Sequence, residues 1–150
     1  MIERFEVFAS SINRIYRCVQ KIKSSKMTEF GLKGTQVMCL VSLMKNQEGF
    51  TSAELSNICM EDKGAISRAV SNLEEKGLVV FDEQAGKRRY RAKIRLTEEG
   101  RNAAGQIVKI IEKSMLQAGN GLSDEEIKIF YKGLDIISDN LLKICGDKGD

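Results

Sequence analysis

The chain has 150 residues, 42% of them hydrophobic and 30% charged, with a formal charge of +3; this is the ordinary range for a globular protein about one domain long. No apolar run approaches the roughly 20 residues of a membrane span, and the opening residues, acidic at Glu3 and Glu6, lack the apolar core of a secretory signal, so a cytoplasmic protein with no membrane partner is expected. Histidine and proline are both absent, which removes the commonest general base and metal ligand and leaves nothing to interrupt long helices.

An enzyme is not expected. No nucleophile sits beside a candidate base, so there is no catalytic residue to assign, and no metal or cofactor is implied. Cys18, Cys39, Cys59 and Cys145 are too scattered to form a CxxC pair, and each reads as a small core hydrophobe.

In chain order, Phe5, Phe8, Ile12, Ile15, Val19 and Ile22 step by three and four and predict one stripe of a helix. Residues 35–45, apolar nearly all round, predict a helix in the core. Thr51 followed by Glu54 is a capping box that opens a short helix to about Ile58. Asp62 is a suitable N-cap for another helix, which ends at Lys76 where Gly77 can take the left-handed conformation. Leu78 to Phe81 and Tyr90 to Leu96 read as two strands joined through Gly86, the second alternating Tyr90, Ala92, Ile94 and Leu96 with Arg91, Lys93 and Arg95. Thr97 caps a helix to about Ala118, and Ser123 with Glu126 opens a last one in which Ile127, Phe130, Leu134, Ile137, Leu141 and Ile144 again step by three and four.

The helix after Asp62 has two distinct faces. Ile66, Val70 and Leu73 form the inward stripe, while Lys63, Gly64, Ala65, Ser67, Arg68 and Ser71 are small or hydrogen-bonding. A major groove about 12 Å wide admits a helix whose leading turns are slim, and Arg68 can place its forked donors on guanine. From Gln84 to Leu96 the chain then carries Lys87, Arg88, Arg89, Arg91, Lys93 and Arg95 without an acid, a strip suited to a polyanion. Double-stranded DNA is the expected partner.

The run DKGAISRAVSNLEEKGLV from Asp62 to Val79, the basic hairpin and LTEEG from Leu96 to Gly100 together resemble the MarR family of regulators across essentially the whole chain. The resemblance implies a mainly α fold with a small β-hairpin wing, a winged helix-turn-helix with long N- and C-terminal dimerisation helices. It makes the chain a single unit, with about 30–96 binding DNA and about 1–25 and 97–145 dimerising. The recognition helix would be Asp62 to Lys76 and the wing Gln84 to Arg95, contacting DNA through Lys87, Arg88, Arg89 and Arg91. The family's Asp-x-Arg wing signature falls here on Arg88 and Tyr90, so Arg89 or Arg91 takes the minor-groove role.

The apolar stripes at Phe5, Phe8 and Ile12 and at Ile127, Phe130, Leu134, Ile137 and Leu141 would then build a homodimer facing a pseudo-palindromic site. A repressor released by a small-molecule effector of unidentified chemistry is the reading that the resemblance implies. One alternative is an oxidant-sensing relative, for which Cys18 beside Arg17 and Lys21 is a candidate thiolate. The other is a protein-interaction adaptor of the same fold without DNA binding, against which the acid-free basic strip argues.

Overall fold

The apolar run before Glu48 becomes the buried helix around which the N-terminal unit is built. The computed structural model describes residues 1–25, 30–82 and 91–146, and its elements follow the order α1 (Ile2–Ser25), α2 (Gly34–Met44), α3 (Ser52–Cys59), α4 (Lys63–Glu75), β1 (Val79–Phe81), β2 (Ile94–Leu96), α5 (Glu98–Ala118) and α6 (Asp124–Cys145). Packing divides it into two compact units, Met1–Ile111 and Glu112–Asp150, with the boundary inside α5. Among the described residues, no helix is long and apolar enough to cross a membrane.

In the first unit, Val37, Cys39, Leu40 and Leu43 of α2 pack with Leu55 of α3, Ile66, Val70 and Leu73 of α4, Val79, Ile94 and Leu96 of the strands, and Ala104 and Ile107 of α5. Burying such side chains contributes about 1.5–3 kcal/mol each, so this cluster holds α3 and α4 in place. The all-round apolar character expected of α2 stops at Met44, which is exposed.

The strands pair antiparallel, Val79 with Leu96, Val80 with Arg95 and Phe81 with Ile94. Phe50 extends the pairing through Ile94, its N–H donating to the Ile94 carbonyl at 3.2 Å and its carbonyl accepting from the Ile94 N–H at 2.8 Å. Among the described residues the regular pairing on the return side is Ile94–Leu96, and Tyr90, where the alternation starts, lies outside them. The alternation itself holds from 91 onward, with Ala92, Ile94 and Leu96 buried and Arg91 and Lys93 exposed.

Thr97 ties the strands to the start of α5. Its hydroxyl donates to the Gly77 carbonyl at 2.7 Å and accepts from the Gly100 N–H at 2.9 Å, and its own N–H donates to the Leu78 carbonyl at 3.1 Å. The Leu-Thr-x-x-Gly run is therefore a junction: threonine caps the helix and glycine makes room for the carbonyl of Leu78.

α1 and α6 are amphipathic, and their apolar stripes are open to solvent within the chain. Phe5 is 69% exposed and Phe130 49%, and no residue of α6 is buried. Ser123 opens α6 as expected, its N–H donating to Glu126 at 2.8 Å and its hydroxyl accepting from the Glu126 N–H at 3.3 Å. These bonds favour the charged form of Glu126 and lower its pKa, the backbone bond most.

Candidate nucleic-acid interface

Two capped helices and a tight turn present the candidate face. At Thr51 the N–H donates to Glu54 Oε2 at 2.7 Å and the hydroxyl accepts from the Glu54 N–H at 3.3 Å, so α3 starts where the sequence places it. The bond from the Thr51 backbone, and then the one from its hydroxyl, hold the Glu54 carboxyl below its ordinary pKa. α3 ends at Met60, a left-handed non-glycine residue with φ 54°. Ser56 steadies that turn, its hydroxyl donating to the Glu61 carbonyl and its carbonyl accepting from the Glu61 N–H at 3.1 Å.

Asp62 then caps α4, Oδ1 accepting from the Ala65 N–H at 2.9 Å. Ile66, Ala69, Val70 and Leu73 turn into the core, which orients the opposite side outward. Lys63, Gly64, Ser67, Arg68 and Ser71 are exposed and Ala65 is half-buried, so the six residues expected to contact DNA form one open surface. A side chain at Gly64 would lie 3.2 Å from Arg68 Nη1. The absence of one keeps the leading turn slim and leaves the guanidinium room to lie over it.

The wing is described only at its base. Lys87, Arg88 and Arg89 lie outside the described residues. Arg91 is exposed. Arg95 is engaged within the protein rather than free for a polyanion: its guanidinium meets Asp82 at 3.0 Å and the Glu48 carboxylate at 3.5 Å, and Nε donates to the Glu48 carbonyl at 3.2 Å. Of the six cations in the strip, Arg95 is thus a brace joining the loop before Phe50 to the base of the hairpin. Nothing in local sequence announces it, because Glu48 lies 47 residues away.

The cysteines diverge from a uniform core role. Cys39 is buried, Cys59 is half-buried, and Cys18 and Cys145 are exposed. Cys59 and Cys39 bring their thiols together across α2 and α3, and Ser42 Oγ lies 3.9 Å from Cys59 Sγ. The hydrogen bond from Cys39 brings the Cys59 thiol down to about 7, with help from Ser42 and Lys23 and against burial and Glu61. The same bond, then burial, pushes the Cys39 thiol well above the ordinary range. Of the pair's two protons, the one on Cys59 is easily lost and the one on Cys39, held between the sulfurs, is retained.

A model for the MarR family matches residues 30–89, which span α2, α3, α4 and β1. Similarity in structure runs further. A MarR family transcriptional regulator from Listeria monocytogenes complexed with a 26mer DNA is 26% identical with a TM-score of 0.82, covering 95% of both chains. The fold is that of MarR family regulators, and residues 30–89 carry the family's sequence pattern. A MarR transcriptional regulator from Methanosarcina mazei Go1 is also 26% identical, with a TM-score of 0.78 over 93% of this chain and 99% of that one. Staphylococcus aureus MarR, solved with salicylate and kanamycin, shares the fold at 20% identity and a TM-score of 0.81, covering 94% of both chains. The Listeria and Methanosarcina proteins are transcriptional regulators, and the residues that match the family model lie on the elements that build the face described above.

Proposed function

We propose that the protein is a sequence-specific DNA-binding repressor that works as a homodimer in the cytoplasm and is released from a pseudo-palindromic operator by a small molecule. The observation that carries the reading is the exposed side of α4, where Lys63, Gly64, Ser67, Arg68 and Ser71 form a surface of small, hydrogen-bonding and basic residues on a helix seated by its opposite face. Residues 30–96 would read DNA, with Arg91 and the wing cations Lys87, Arg88 and Arg89 adding phosphate contacts, while 1–25 and 97–145 would dimerise. The DNA complex of the Listeria regulator supports the partner, and the salicylate complex of the Staphylococcus protein supports an aromatic anion as the class of effector. Selection of bound fragments from a random duplex pool tests the reading: recovery of a two-fold symmetric motif is expected, and no enrichment at low salt would favour an adaptor.

The exposed apolar residues of α1 and α6 support the dimer, because surfaces of this kind are covered in stable proteins. Leu134→Glu with Leu141→Glu is expected to shift the sedimenting species from dimer to monomer and to weaken operator binding by at least about tenfold, since one half-site is then read alone. A wild-type chain that sediments as a monomer at micromolar concentration would overturn this assignment.

The Cys39–Cys59 pair favours an oxidant-sensing variant of the same reading, centred on Cys59 rather than Cys18. Thiolate is the reactive form, so iodoacetamide labelling of Cys59 should climb as pH rises and reach half its plateau rate near pH 7, the value to which its neighbours bring it. Cys39→Ala, which removes the donor, should move that midpoint upward. A Cys59 rate at pH 7 equal to that of a free model thiol would remove the basis for this variant.

A further inference from the structure

Gln36 is a polar side chain inside the core boundary, only 7% exposed, and both ends of its amide are used. Oε1 accepts from the backbone N–H of Lys33 at 2.8 Å, and Nε2 donates to Asn72 Oδ1 at 2.8 Å. A backbone N–H can only donate, so it fixes the carbonyl end of Gln36. The NH2 end must then face Asn72, whose carbonyl oxygen in turn faces Gln36. The consequence is that Asn72 holds its own NH2 group, two donors, directed away from this bond. An orientation that is usually ambiguous for an amide is here set by the main chain through two side chains.

Asn72 stands on α4 one turn beyond Arg68 and one turn before Lys76. Together with Lys33 and Thr35 these residues border a recess of about 460 Å³ between α2 and α4, and among the described residues no carboxylate lines it. The ammonium of Lys76 reaches over Gly31, 3.5 Å from where a side chain there would begin. The recess therefore offers cations and amide donors beside the exposed face of α4, the chemistry that a phosphodiester accepts.

We propose that this recess takes a backbone phosphate of the bound duplex, that Asn72 donates to it, and that Gln36 is the positioning residue that keeps Asn72 a donor. The proposal rests on the DNA-binding reading above. Gln36→Glu tests it because the carboxylate can still accept from the Lys33 N–H but has no proton for Asn72. Asn72 would then turn its NH2 inward and present an oxygen to the phosphate. Asn72→Asp keeps an oxygen for Gln36 and places a negative oxygen outward.

The experiment is an anisotropy titration of the full chain with fluorescent genomic duplexes over a range of salt, with Gln117→Glu on exposed α5 as the control for added charge. Each of the two variants is expected to lose at least about tenfold in affinity beyond that control, the size of a charge-assisted hydrogen bond. The preference between sequences should stay unchanged, as for a lost phosphate contact. Wild-type protein that binds DNA, with both variants matching Gln117→Glu, overturns the recess alone; wild-type protein that binds no DNA at low salt overturns the reading beneath it. Should Gln36→Glu fail to fold, Asn72→Asp decides, since it retains the bond to Gln36.

Discussion

Gly100→Ala is expected to destabilise the protein by about 3 kcal/mol, the cost of forcing a side chain into a closed space. Alanine normally stabilises a helix relative to glycine, by up to about 1 kcal/mol, so the sign here comes from the surroundings. A Cβ at position 100 would lie 1.8 Å from the Leu78 carbonyl oxygen. That oxygen accepts from the Thr97 N–H at 3.1 Å and sits on main chain leading into β1, so neither partner can swing aside as a flexible side chain would. Gly105, on the same helix, has nothing within 4 Å of its Cβ position, and Gly105→Ala should stabilise by about 0.5–1 kcal/mol. Urea unfolding of the two variants checks the contrast, and equal midpoints would show that the Leu78 contact does not constrain the fold. The melting temperature of Gly100→Ala should fall by about 10 °C for a domain of this size.

What could be read from sequence here is what is encoded within one turn of a helix or one strand. The boxes at Thr51 and Ser123, the cap at Asp62 and the inward set Ile66, Val70 and Leu73 each depend on residues three or four apart, and each stands where the sequence places it. The exposed surface from Lys63 to Ser71 follows directly, because a helix with one buried stripe must turn its other side outward. The features that remained hidden join distant segments. Arg95 looks like one more cation of a basic strip until the fold brings Glu48 and Asp82 to it. Cys39 and Cys59, twenty residues apart with no shared motif, meet only when α2 packs on α3. Gln36 and Asn72 likewise meet only across α2 and α4.

The fate of Arg95 also sharpens what each arginine should do on DNA. Arg68 is exposed on the leading half of α4, where a guanidinium can reach base edges, so Arg68→Ala should cost about 1–3 kcal/mol on the cognate site and relax preference at one position. On unrelated duplexes the same change should cost less. Arg91→Ala, at the base of the wing, should instead weaken binding evenly across sequences and lower the salt slope by about one. Arg95→Ala should leave that slope nearly unchanged, because its charge is already met by Asp82 and Glu48, and should cost at most about 1 kcal/mol of stability for a half-exposed ion pair. Salt-dependent titrations on cognate and scrambled duplexes separate the three behaviours. If Arg68→Ala weakens both duplexes equally, α4 holds the backbone without reading bases, and sequence discrimination must come from another part of the surface or from the shape of the DNA.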